Sequence, residues 1–263
     1  MDRTTILGLA LGILAVGVAM FYKHIPFMVL LNPAAIFVIF VGTAAAVVNA
    51  FPLQDIKKVP VLFKIIFTEQ KLASPIATIK LFKDLSGVAR REGLLALETR
   101  LGEIDDPFLR SGLTLAIDGQ TSEFIRDVLN EEISAMEDRH QVGVSIFSQA
   151  ATYAPTLGVL GAVLGLIAAM GEMNNAELLG AAIAAAFVAT VFGIFTGYVI
   201  WNPFANKLKR KSSEEIKLKE LMIEGILSVL EGQPPTIIEQ KLAAYLPVKE
   251  RVLLAREDET ESA

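Results

Sequence analysis

Four stretches of this chain, about 4–22, 33–51, 149–170 and 180–201, contain no Asp, Glu, Lys or Arg. A helix needs about 20 residues to cross a hydrocarbon core of roughly 30 Å, and each stretch has that length. Any one of them alone could be a core helix of a soluble protein, but four together could not. Spanning segments must satisfy every backbone polar group themselves, which favours helices. Of the 263 residues, 53% are hydrophobic, yet the net charge is −5, as suits a chain divided between bilayer and water. The expected fold class is an all-α integral membrane protein with four transmembrane helices and a helical cytoplasmic domain.

The first stretch is longer than a secretory core and runs straight into Lys23 and His24, so it reads as a retained anchor. Basic residues set the orientation. The 23–32 connection has only Lys23 and His24, and the 171–179 connection has Glu172 and Glu177 but no Lys or Arg. Lys57 and Lys58 follow the second stretch; Lys207, Lys209, Arg210 and Lys211 follow the fourth. Both termini are therefore expected in the cytoplasm. Tyr153, Tyr198 and Trp201 stand where an interfacial aromatic belt would lie. The expected domains are 1–51 (helices 1 and 2), 52–148 (a cytoplasmic helical domain), 149–202 (helices 3 and 4) and 203–263 (a cytoplasmic C-terminal helix with an acidic tail).

Residues 52–148 carry 12 Lys or Arg and 15 Asp or Glu, interspersed rather than in blocks. Residues 76–101 read as an amphipathic helix pair around Ser86-Gly87. Asp105-Asp106-Pro107 starts a short helix that ends at Asp118-Gly119. Thr121 or Ser122 caps a long helix with no breaker before Gly143, so it continues into the third stretch. At about 1.5 Å per residue, 122–170 would be a rod of roughly 70 Å. The fourth stretch continues likewise through 204–231 until Pro234-Pro235, and 236–246 make a last amphipathic turn or two. The tail 257–263 is expected to be disordered.

Small residues mark one face of the third stretch: Ala151, Pro155, Gly158, Ala162, Gly165 and Ala169, spaced four, three, four, three and four apart. Leu157, Leu160, Leu164 and Ile167 occupy the neighbouring face. The fourth stretch repeats the pattern with Ala186, Thr190, Gly193 and Gly197. In lipid a smooth face serves close approach by another helix. Pro155 and Pro203 each remove a backbone donor near one end of a span, as a hinge or as a static kink. Thr190 and Thr196 bond their own i−4 carbonyls or, for Thr190, face a polar path. If ions cross, the titratable carboxylate must come from a partner helix.

Enzymatic chemistry finds little support. Glu137 and His140 supply two ligands where a metal site needs three or four, and a solvated helix face explains them. Asp105-Asp106 suits a turn or cap. Gly158, Gly161 and Gly165 precede no Lys-Ser/Thr, which excludes a phosphate loop. There are no cysteines, hence neither disulfides nor thiol catalysis. Neither an enzyme, a cofactor, a metal nor a nucleic-acid partner is expected.

The segment Ala186-Phe-Val-Ala-Thr190-Val-Phe-Gly193-Ile-Phe, followed after seven residues by Pro203, resembles the signature of MotA-type flagellar stator subunits, within the MotA/TolQ/ExbB proton channel superfamily. Asn32-Pro33-Ala34-Ala35, Arg90-Arg-Glu-Gly93-Leu-Leu-Ala-Leu-Glu98, Glu137-Asp-Arg-His140, Ala154-Pro155-Thr-Leu-Gly158 and Pro203-Phe-Ala-Asn-Lys-Leu-Lys extend the resemblance over essentially 1–250.

That resemblance implies a bacterial inner-membrane protein that forms a homopentamer around a MotB-type partner, which brings the ion-binding Asp. Ion flow would then drive rotation against a FliG-type rotor switch protein. It also assigns Arg90 and Glu98 to rotor contact, Pro155 and Pro203 to conformational coupling, and Thr190 to the pore, while the smooth face places Gly158, Ala162, Gly165 and Gly193 with it at the ion path or partner contact. On one helix, Arg90 and Glu98 would point within about 80° of each other. Sodium-driven relatives carry a threonine near the ion path, where this chain has Val159-Leu-Gly161-Ala162. Sodium needs oxygen ligands and a proton only a carboxylate, so Ala162 favours H+ over Na+. The alternatives are a sodium-driven stator and a TolQ/ExbB-like energiser. The latter usually has three spans, and both four spans and the Arg90–Glu98 segment count against it. A transporter would need more polar groups at bilayer depth than Thr190 and Thr196.

Overall fold

The computed structural model describes residues 2–70 and 72–261, with side chains described to Leu254. The main helices, in chain order, are α1 (Arg3–Tyr22), α2 (Pro33–Ala50), α3 (Val59–Phe67), α4 (Pro75–Glu92), α5 (Pro107–Ile117), α6 (Ser122–Gly171), α7 (Ala176–Leu230), α8 (Pro235–Ala243) and α9 (Val248–Glu261). There is no strand among the described residues, so the fold is all-α. Helices α1, α2, α6 and α7 are each long and apolar enough to cross a membrane.

Helix starts follow the capping chemistry of their sequences. Asp2, Asn32, Asp106 and Asn175 each accept a bond from a backbone N–H in the first turn of the helix that follows, satisfying donors the helix itself leaves open. Thr121 does the same for α6, accepting from the N–H of Phe124 at 3.3 Å. Two π-helical segments interrupt the apolar helices, Phe37–Val41 in α2 and Thr196–Trp201 in α7.

The chain packs as two units, one of residues 1–70 with 139–211 and one of 71–138 with 212–263. These boundaries differ from those read from the sequence, because residues 52–70 and 139–148 pack with the apolar helices. In the first unit Phe147 stacks on Trp201 at 6.2 Å and meets Phe63 edge-on at 5.2 Å and Phe204 at 6.0 Å. Such pairs add about 0.5–1.5 kcal/mol each beyond the area they bury.

In the second unit α4, α5, the first turns of α6, the end of α7, and α8 surround a core of large side chains, among them Phe82, Phe108, Leu113, Ile125, Leu129 and Ile226. Lys83 pairs with Glu239 at 2.6 Å at its edge. Three sequence expectations are corrected here. First, α4 runs unbroken through Ser86-Gly87, because the buried Ser86 hydroxyl donates to the Gln233 carbonyl at 2.7 Å instead of opening its own helix. The break falls at Gly93, whose φ of 87° suits a residue without a Cβ. Second, 3-10 helix follows over Leu94–Glu103 where a second α-helix was expected. Third, the acidic tail is helical as far as Glu261, built from good helix formers and anchored by buried Leu254. Residues 262–263 of that tail lie outside the described residues.

Candidate functional site

The small residues of α6 and α7 meet each other within the first unit. A Cβ added to Gly193 would stand 2.7 Å from the Ala154 carbonyl oxygen and 2.8 Å from the Cα of Gly158. One on Gly158 would lie 3.1 Å from the Ala189 carbonyl oxygen and from Gly193 Cα. Gly165 faces Ala186 with 2.8 Å to its Cβ, and Gly161 faces the Cβ of Ala189 at 2.7 Å. At such separations the backbones touch, which only glycine and alanine permit. Gly158, Gly165 and Gly193, read from the sequence as ion-path or partner-facing, pack α6 against α7 of the same chain.

Ala162 of α6 and Thr190 of α7 are both half-buried. The Thr190 hydroxyl donates to the Ala186 carbonyl at 3.4 Å, a long contact for an O–H donor. Thr196 is fully committed by contrast: it is buried and donates to the Phe192 carbonyl at 2.7 Å. Thr190 is therefore the hydroxyl of the pair with bonding capacity to offer. Beside the seam a cavity of about 220 Å³ is lined by Asn32, Ala35, Gly161, Gly165 and Ala189.

The two prolines sit at different constructions. Pro155 lies inside α6, and its ring rests where a Gly197 side chain would be, 2.8 Å from that position. The Ala151 carbonyl, deprived of a helical donor by Pro155, also faces Gly197, at 3.0 Å from the same position. Pro203 is exposed and follows directly on the π segment, where the Asn202 N–H donates to Gly197 five residues back. A ring without an N–H and a widened turn thus fall together, a combination associated with functional helix irregularities.

Arg90 and Glu98 lie in the second unit, both exposed. Arg90 occupies the last turn of α4, and Glu98 the 3-10 segment beyond Gly93. They do not share one α-helix, so the angle read from helical spacing does not apply. Neither makes an ion pair among the described residues, which leaves both charges unspent. No metal set forms around His140 and Glu137, since among the described residues no group of three His, Cys, Asp or Glu could hold a metal. Sequence reasoning missed Gly12 and Gly42, two further points of close helix approach. A Cβ on Gly12 of α1 would stand 2.6 Å from Val199, and one on Gly42 of α2 would stand 3.3 Å from Leu157. A Gly8-x-x-x-Gly12 spacing, and a lone Gly42 inside an apolar run, were the available signals.

Residues 101–221 match the family described as MotA/TolQ/ExbB proton channel. Over 262 residues the chain is 58% identical to Motility protein A of Bacillus subtilis, covering 100% of this chain and 97% of that protein. The chain belongs to the MotA/TolQ/ExbB proton channel family. Its structure is similar to the flagellar MotAB stator complex from Bacillus subtilis, with a TM-score of 0.92 at 59% identity over 97% of this chain and 100% of that one. It is similar as well to C. jejuni MotAB, with a TM-score of 0.89 at 27% identity over 94% of this chain and 97% of that one.

Proposed function

We propose that this chain is the stator subunit of a bacterial flagellar motor, coupling proton flow through the inner membrane to torque on a rotor. The observation that carries the reading is the match, over essentially its full length, to Motility protein A and to the MotAB stator complex of Bacillus subtilis. The physical features agree with it. The stretches 4–22, 33–51, 149–170 and 180–201 contain no carboxylate, so a MotB-type partner supplies the Asp that carries the ion. Copies of this chain, five by family resemblance, surround that partner with both termini in the cytoplasm. The chain then acts as a channel and motor part, not as an enzyme.

Within this reading Thr190 and Ala162 face the ion path, while Gly158, Gly165 and Gly193 hold the two lining helices together. Pro155 and Pro203 transmit the change that accompanies ion flow. Arg90 and Glu98 meet the charges of a FliG-type rotor protein, and their lack of internal partners supports this use. The ion is H+, because Ala162 brings no hydroxyl to replace the water of a sodium ion.

The test is swimming of a deletion strain, before and after complementation in sodium-free medium. Flagellated but paralysed cells, rescued without sodium, are expected. Rescue only with sodium would replace the proton by Na+, and normal swimming of the deletion strain would favour a TolQ/ExbB-like task. Arg90→Glu is expected to abolish or severely slow swimming at unchanged protein level. Normal speed in that variant would remove Arg90 from the rotor contact.

A further inference from the structure

The start of the first apolar helix is bonded to the helix that follows Pro203 by several polar contacts. The Asp2 carboxylate lies 2.6 Å from the Lys207 ammonium and 3.9 Å from that of Lys211. It accepts from the Thr4 hydroxyl at 2.7 Å, and that hydroxyl in turn accepts from Lys207 at 2.7 Å. The Asp2 backbone N–H donates to the Phe67 carbonyl at 2.9 Å. Lys211 completes the knot by donating to the carbonyls of Ile65 and Thr68 at the end of α3. The bond from Lys207, with those from Thr4 and the Thr5 N–H, holds the Asp2 carboxyl well below the usual aspartate range. It is ionised at any pH a cell meets.

Lys207 is four residues beyond Pro203 and so stands on the same side of α7. Between this knot and the π segment lies a cavity of about 340 Å³, lined by Thr4, Gly8, Val199, Pro203, Phe204 and Lys207. Further along, Gly12 lets α1 close on Val199. The first apolar helix therefore touches the π segment at Val199 and is tied beyond it at Lys207, with open space beside the proline in between.

We propose that Asp2 and Lys207 are positioning residues, whose ion pair ties the first apolar helix to the turn after Pro203 so that the two move as one body. The pair is partly shielded, with side chains 13% and 24% exposed, and losing one partner of a shielded pair costs more than losing one of a surface pair. The cavity leaves the Pro203 turn room to change shape while its far end stays fixed. This rests on the stator reading, in which Pro203 transmits the effect of ion flow.

Asp2→Asn separates the ion pair from helix capping, since Asn caps a helix as well as Asp does. Asp2→Asn, Lys207→Met and the double variant are compared with Lys207→Arg in the complemented deletion strain, with membrane level measured alongside speed. Each neutral single variant is expected to swim roughly threefold slower at normal level, the double no slower than either single, and Lys207→Arg to recover. Single variants as fast as wild type, or losses that simply add in the double variant, overturn the proposal. If the neutral singles fail to accumulate, Lys207→Arg decides: normal level and speed support the pair, and the same failure overturns it. A wild-type chain that does not restore swimming sinks the stator reading itself, which distinguishes the two failures.

Discussion

Helices α6 and α7 meet through Gly158, Gly161, Gly165, Ala186, Ala189 and Gly193, whereas the helices of the second unit meet through Phe82, Phe108, Leu113, Leu129 and Ile226. Each choice suits its solvent. In water, burying a large apolar side chain contributes about 1.5–3 kcal/mol, so big residues hold that core. In lipid the tails solvate leucine as well as another helix would, and attraction must come from backbones brought into contact. The same residue type can thus be indispensable in one unit and dispensable in the other.

Glycine substitutions break this comparison most sharply. Gly193→Leu would drive a side chain into the backbone of Ala154 and Gly158, which cannot yield as a side chain could. A cost above about 3 kcal/mol is expected, with loss of the protein from the membrane fraction by immunoblot. Normal accumulation would mean that the seam is not closed as described. Phe82→Ala, in the second unit, is expected to cost about 3–5 kcal/mol by leaving a cavity where the ring lies on Gly225. Thermal unfolding of the purified protein, with proteolysis of 71–138 as a second readout, measures it. Gly87→Ala has the opposite sign. A Cβ there meets nothing within 4 Å and the residue sits inside α4, so a gain of about 0.5–1 kcal/mol is expected. A destabilised Gly87→Ala would show that α4 uses glycine for close contact at this position, as the second unit does where Phe82 lies on Gly225.

Much of this fold was legible because charge and periodicity carry the information locally. The charge-free runs mark α1, α2 and the apolar parts of α6 and α7, and Asp106-Pro107 and Thr121 mark two helix starts at the residues that cap them. The helix break was placed at Ser86-Gly87 instead of Gly93 because the acceptor that engages the Ser86 hydroxyl, Gln233, is 147 residues away. Both π segments escaped notice, as a shift from i−4 to i−5 bonding leaves no period in the side chains. The candidate site was legible in its residue types but not in its pairing. Periodicity says that a face is smooth without saying whose helix lies on it, and here α7 of the same chain covers Gly158 and Gly165.

A seam built of glycine and alanine has a mechanical consequence. Interlocked large side chains act as teeth that fix register, and slipping them requires rotamers to be forced over one another. Flat glycine surfaces resist being pulled apart but offer little friction to shear along their length. Where the Pro155 ring seats at Gly197, that smooth contact acquires a tooth, and sliding would turn into pivoting about it.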